Sequence, residues 1–300
     1  KETLKLAHPL RDLCPFPVTD DFLGMLTPFS PAELLKRIKD AHERVSRDKD
    51  VVIHESSTNP ELLLSYGLSG PELARAFGAP VLFVTRGGGD SIVDRALLGK
   101  LFCDKVGAPF MGIVMNDVPL QCMGKVKDAF VPLLREHGVD TLGTIPQNVR
   151  LTAPTVAEIF DVLGGQVLEG REFMDRSVEN FLVGAMTHES ALRYFQRSVN
   201  KAVITGGDRP DIALAALETS TSALILTGNL YPDVQVLRRA SEKRVPVILV
   251  PYDTYTTVEK LDMVTGRIKP QDATKIKLAR ESVARYVDWK GVLERLGISA

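Results

Sequence analysis

The sequence is poor in the residues that announce chemistry on their own. Its 300 residues include three cysteines (Cys14, Cys103 and Cys122), one tryptophan and 6% aromatic residues in all. The cysteines are far apart and show no Cys-x-x-Cys or Cys/His ligand spacing. This excludes a disulfide framework and a cysteine-based zinc site. Cys103 and Cys122 read as packing residues of a reducing compartment. Net charge is −1, so no field of one sign steers nucleic acid or an acidic membrane. No apolar run approaches the roughly 20 residues that cross a bilayer, and no signal-peptide pattern opens the chain. A cytoplasmic protein is expected, with neither nucleic acid nor membrane as partner. No Ser/His/Asp or Cys/His arrangement stands at a recognisable spacing. Asp20-Asp21 reads as loop surface, and His188 as a surface or capping residue.

What the chain does have is α/β periodicity. A composition of 44% hydrophobic and 25% charged residues is that of an ordinary globular protein, and the length suits two domains. Ala202-Val203-Ile204 is a short apolar run broken by Thr205-Gly206-Gly207; Asp208 then reads as a helix cap and Pro210 as a first-turn residue. The same phrase recurs at Ala223–Leu226 with Thr227-Gly228-Asn229, and at Val247–Val250 with Pro251-Tyr252-Asp253-Thr254. Three such strands with crossover helices form a right-handed parallel unit. Its turns emerge at the carboxyl edge, where open α/β sheets bind ligands. Thr205, Gly206, Gly207, Asp208, Arg209, Thr227, Gly228, Asp253 and Thr254 are therefore the candidate effector site.

The first half repeats the pattern. Residues 1–30 are proline-rich and read as mostly extended connection. Ser30-Pro31-Ala32-Glu33 is a capping box that opens a helix. Asp50–Ser57 reads as a strand ending on Glu55, which is either a magnesium-holding carboxylate or a polar strand terminus. Ala79–Val84 is a strand leading into Arg86-Gly87-Gly88-Gly89-Asp90, either an anion cradle at a helix start or a flexible connection. Phe110–Met115 ends at Asn116-Asp117-Val118-Pro119, and Thr141–Pro146 is the last strand, closed by a helix from Thr155. This half reads βαβαβαβα. Domains are expected at 1–168 and 179–268, with a linker at 169–178 and a helical tail at 269–300 that carries Trp289. The glycine turn of the second domain, and with it Gly206, is expected to need close approach by a ligand.

Two family resemblances accompany this pattern. ITGGDRPDIALAAL, ALILTGNLYPD and VPVILVPYDTYTTVEKL resemble a DRTGG domain. DVVIHES, APVLFVTRGGG, GIVMNDVP and LGTIPQNVRLTAPTVAEI resemble the dethiobiotin-synthetase-like P-loop domain that precedes DRTGG domains in large phosphotransacetylases. The resemblance implies a fold of two parallel-sheet, three-layer α/β domains. It also implies ATP or another adenine nucleotide with magnesium as cofactor: Asn116 reads the base, Pro146 flanks it, and Glu55 holds the metal. Arg86, Gly87 and Gly88 are the anion candidates. The family's Gly-x-x-x-x-Gly-Lys-Ser/Thr loop is not found here; Gly99-Lys100 and Gly124-Lys125 lack the glycine five residues earlier. Either the loop precedes Lys1 in a longer natural chain or this member has lost it.

The resulting expectation is a nucleotide-responsive regulatory protein that resembles the front half of phosphotransacetylase. It would form a homo-oligomer through the DRTGG domain, with a possible partner enzyme. The alternatives are an ATP-dependent ligase of the dethiobiotin-synthetase type and a structural subunit with a decayed nucleotide site.

Overall fold

The computed structural model describes residues 1–18, 21–57, 59–262, 264, 266, 268–270 and 272–298; Asp20 lies outside them. Residues 1–147 with 279–300 form one compact unit, and residues 148–278 form the second.

In the first unit, α1 (Leu10–Leu13), α2 (Phe22–Leu26), α3 (Pro31–Ser46) and α4 (Gly70–Phe77) precede any strand. The proline-rich start is thus partly helical rather than mostly extended. The reason is burial: Leu26, Leu34, Leu63 and Leu68 share a small core that Phe16 and Phe22 extend. The capping box forms as expected, with Ser30 Oγ accepting the Glu33 N–H and the Glu33 carboxylate accepting the Ser30 N–H.

The sheet that follows is β1 (Val81–Arg86), β2 (Phe110–Val118) and β3 (Thr141–Pro146), parallel and in that order. Between the strands run α5 (Ser91–Val106), α6 (Met123–Lys125), a π-helical turn (Val126–Phe130) and α7 (Val131–Glu136). One face packs Phe83, Ile113 and Met115 against Ile92, Ala96, Phe130 and Leu134. The other packs Met111, Val114 and Leu142 against Val287 and Val292. That alternation is what a parallel sheet with two covered faces requires.

The expected strand at Val51–Ile53 is not formed. Asp50–Ser57 is extended but pairs with no strand among the described residues, and Ile53 is 89% exposed. Three apolar residues make too short a ladder without a strand beside them. The stretch is held instead by the ring of His54, whose centroid lies 4.9 Å from that of His42 on α3 and 4.8 Å from that of Phe77 on α4. The half is therefore three-stranded, not four.

The second unit contains α8 (Val149–Thr152), α9 (Val156–Leu163), β4 (Gln166–Glu169), β5 (Asn180–Val183), α10 (His188–Phe195), β6 (Lys201–Gly206), α11 (Pro210–Leu217), β7 (Thr221–Thr227), α12 (Val234–Lys243), β8 (Val247–Leu249) and α13 (Thr254–Asp262). Its sheet runs β4-β8-β7-β6-β5, parallel throughout except that β4 is antiparallel to β8. Alternate residues separate cleanly to two faces. Val203, Leu224, Leu226, Val247 and Leu249 meet α10, α11 and α12, whereas Ala202, Ile204, Ala223, Ile225 and Ile248 meet Val156, Ile159 and Leu163 of α9 and Leu261 of α13. The division between units falls inside α14 (Ala273–Tyr286), and α15 (Trp289–Arg295) belongs to the first unit.

This places the boundary upstream of the expected one. The helix capped by Thr155 and Glu158 was expected to close the first half, yet its apolar stripe lies in the second unit's core. Gln166–Glu169 is a strand of the second sheet, and Arg171–Phe173 in the expected linker is a 3-10 turn. Periodicity identifies an amphipathic helix but not the sheet it covers.

At the amino edge of the second sheet, Lys201 is fully buried. Its ammonium donates to the carbonyls of Ser198 (3.1 Å) and Ser220 (2.8 Å), and burial pushes its pKa down to about 8. It ties two loops together at the edge opposite the candidate site.

Candidate functional site

In the first unit the carboxyl ends of β1 and β2 lie side by side, with Arg86 in register with Asn116. The Gly87 N–H donates to the Asn116 carbonyl (3.2 Å), and Gly87 has a φ of +100° that glycine tolerates. The Asn116 side chain accepts the N–H of Asp117 (2.9 Å), which stabilises the left-handed backbone of Asp117 (φ +54°). The Asp117 carboxylate in turn accepts Arg86 Nε at 2.9 Å. Pro146, at the end of β3, pairs with Val118. The sheet thus gathers Arg86, Gly87, Gly88, Asn116 and Pro146 on one edge.

The glycine turn here is packed from within. A Cβ on Gly88 would stand 2.8 Å from the Cys122 sulfur, whereas one on Gly89 would meet nothing within 4 Å. Asp90 makes no side-chain cap to α5 and pairs with Lys125 instead. Glu55 is exposed on the unpaired stretch. Among the described residues, no three His, Cys, Asp or Glu side chains gather as a metal site. Magnesium in nucleotide sites is held by one or two carboxylates together with phosphates and water, so Glu55 would hold the ion only beside a bound nucleotide.

The second unit's carboxyl edge is more densely connected. Thr205 Oγ1 donates to the Gly184 carbonyl (3.0 Å), and Thr227 Oγ1 donates to the Thr205 carbonyl (3.4 Å) and contacts Thr254 Oγ1 (3.0 Å). The Gly228 N–H donates to the Tyr252 carbonyl (2.7 Å), and the Asn229 N–H to that of Val250 (3.0 Å). Asp253 caps α13 by accepting the Thr256 N–H (2.7 Å), a bond that holds its carboxyl below the usual range. All the nine expected residues sit on the ends of β6, β7 and β8 or in the turns that follow.

Two roles differ from expectation. Asp208 is not the cap of α11: Arg209 occupies that position, without a side-chain cap. The Arg209 guanidinium is committed to Asp211, through Nε and Nη2 at 2.9 Å each, and to the Met186 carbonyl at 2.8 Å. Gly207 is a packing glycine, since any Cβ there would overlap the Leu230 carbonyl; a Cβ on Gly206 meets only the mobile end of Asp208. Residue-by-residue reading of the turns also missed the aromatic side chains around them. Tyr231, Tyr252 and Tyr255, half of the chain's six tyrosines, lie on two of these turns. In a sequence short of aromatics, that clustering was the available signal.

Comparison with known proteins bears on both units. Residues 26–155 match the AAA domain family and residues 158–264 the DRTGG domain family. The phosphate acetyltransferase of Pseudomonas aeruginosa is 26% identical over 289 residues, covering 88% of this chain and 40% of that protein. The phosphate acetyltransferase of Nitratidesulfovibrio vulgaris is 32% identical over 162 residues, covering 51% of this chain and 23% of that one. Among solved structures, the CBS and DRTGG domains of the regulatory region of Clostridium perfringens pyrophosphatase, complexed with the activator diadenosine tetraphosphate, match with a TM-score of 0.33 and 20% identity. That match covers 52% of this chain and 81% of the other. The chain spans about two fifths of the length of the curated relatives that match most of it. No helix among the described residues is long and apolar enough to cross a membrane. The chain thus matches an AAA domain followed by a DRTGG domain, and resembles phosphate acetyltransferases over 88% of its length.

Proposed function

We propose that the protein is a nucleotide-responsive regulatory module whose effector site is the carboxyl edge of the second sheet. One observation carries this reading. The turns after β6, β7 and β8 are cross-linked by the Thr205–Thr227–Thr254 hydrogen bonds, while helices cover both faces of the sheet. The strand-end edge is where ligands of open α/β folds bind. The AAA-domain match and the P-loop resemblance, both of the first unit, support an adenine nucleotide as the effector class, and its seat on the second unit's edge is part of the proposal. A cytoplasmic setting, a homo-oligomer through the second unit and a partner enzyme belong to the same proposal.

Calorimetric titration of the full chain with ATP, with and without magnesium, tests it. Saturable binding that Thr254→Val weakens supports the site, and absence of binding by any adenine nucleotide overturns it. A separate base contact at Asn116 is part of the proposal for the first unit. There Asn116→Ala should weaken nucleotide binding by about 1–3 kcal/mol. Unchanged affinity in that variant confines the nucleotide to the second unit.

A further inference from the structure

Building on the proposed base contact at Asn116, we infer that Arg86 serves the first unit's edge as a positioning residue acting through Asp117, and does not itself bind an anion. Four residues close a ring across the ends of β1 and β2. Arg86 stands in register with Asn116, and the Gly87 N–H donates to the Asn116 carbonyl at 3.2 Å. Asn116 Oδ1 accepts the Asp117 N–H at 2.9 Å. The Asp117 carboxylate accepts Arg86 Nε at 2.9 Å, which closes the ring. Every bond in it runs from an N–H to an oxygen, so no donor direction is open.

The ring accounts for a backbone that is otherwise unfavourable. Asp117 is held at φ +54°, in the left-handed region that residues with a side chain rarely adopt, and its side chain is 14% exposed. Among the described residues Arg86 is the one side-chain partner of that carboxylate. An anion that drew Arg86 away would leave a largely buried charge unpaired. Arg86 also brings the edge no net charge, because Asp117 cancels it; at the far end of the glycine turn, Asp90 cancels Lys125 in the same way. Gly87–Gly89 therefore lack the positive surroundings of an anion cradle. What the ring does fix is Asn116. Its carbonyl and Oδ1 are both engaged, which sets the plane of the amide and leaves Nδ2 as the donor on an exposed strand end.

The test is calorimetric titration of the full chain with adenosine and with ATP, repeated with Arg86→Met, Arg86→Lys, Asp117→Gly and Asn116→Ala. Glycine tolerates the left-handed backbone, so Asp117→Gly removes the carboxylate without straining the turn, and thermal unfolding verifies that each variant folds. Asn116→Ala marks the binding that belongs to this edge. Arg86→Met and Asp117→Gly should each weaken adenosine and ATP to the same degree, about threefold to tenfold, as for one hydrogen bond. The double variant should be no worse than either single one. Arg86→Lys, which keeps a cation beside Asp117, should restore most of the affinity. An Arg86 that held phosphate would give another pattern: Arg86→Met would weaken ATP alone, and Asp117→Gly would tighten ATP by freeing the guanidinium. That pattern, or unchanged affinity in both variants, overturns the inference and leaves the base contact standing. Nucleotide binding that Asn116→Ala leaves unchanged, or no binding at all, removes the base contact and the inference with it.

Discussion

Thr227 and Thr254 bring their hydroxyl oxygens to 3.0 Å, joining the end of β7 to the first turn of α13. Thr227 Oγ1 also bonds the Thr205 carbonyl, so single variants remove more than the pair and a cycle is needed to isolate it. A double-mutant cycle with Thr227→Val and Thr254→Val, read by chemical denaturation, should give a coupling of about 0.5–1.5 kcal/mol. Additive losses would mean that the contact does not tie the turn.

The two glycines of the second unit's turn should behave oppositely. Gly207→Ala forces a methyl group into the Leu230 carbonyl, which belongs to backbone and cannot swing away, whereas Gly206→Ala displaces only the Asp208 carboxylate. Gly207→Ala is expected to lose about 2–4 kcal/mol of stability or to fail to fold, by the overpacking mechanism, and Gly206→Ala to lose less than about 1 kcal/mol. Equal melting temperatures for the two variants would show that the Leu230 loop yields.

Fragments distinguish the observed boundary from the expected one. A piece from Asn148 to Leu278 keeps α9 and β4 and should unfold cooperatively. One from Glu179 to Ile268 discards Val156, Ile159 and Leu163, which cover Ile204, Ile225 and Ile248. Near-ultraviolet circular dichroism of the shorter piece should lack a fixed aromatic signal. A sharp transition in that piece would return the boundary to the linker.

Lys201 gives the second unit a signature in alkali. Its folded pKa of about 8 lies below the value of an unfolded lysine. The unfolded chain therefore binds more protons between these two values, and stability from this group rises with pH across that window. Below about pH 8 the amine is charged in both states, and the burial penalty is fully felt. Relative to Lys201→Met, the protein should gain on the order of 1–2 kcal/mol between pH 7.5 and 9.5. Denaturation midpoints of the two proteins that move in parallel over this range would contradict the depressed pKa.

The strands that carry their own evidence in sequence are those with a short unbroken apolar run and a glycine or proline turn after it. β6, β7 and β8 are legible because both their faces are apolar and their turns are marked by Gly206-Gly207, Gly228 and the Pro251–Thr254 segment. Val51–Ile53 misleads because apolar residues are necessary for a strand and a hydrogen-bonding neighbour is not written beside them. β4 escapes notice because the four residues between Gly165 and Gly170 read as the end of the first domain running into a linker until β8 supplies the ladder. At the site, positions on strand ends follow from topology, whereas partners do not. That Arg209 would be spent on Asp211, or Gly88 filled by Cys122, depends on side chains that the turn brings together only after folding.

The close seat of Cys122 on Gly88 turns three scattered thiols into a graded set of probes. Cys14 is exposed, and Cys103 is fully buried with its thiol pushed up to about 11. A maleimide or disulfide reagent should therefore label Cys14 at once and leave Cys103 untouched while the unit is folded. Cys122 is half-buried, with Gly88 packed against its sulfur, and should react at an intermediate rate that rises when the glycine turn lifts. The rate of that second modification is a clock for breathing at the strand edge that carries Asn116, and any ligand seated there would slow it.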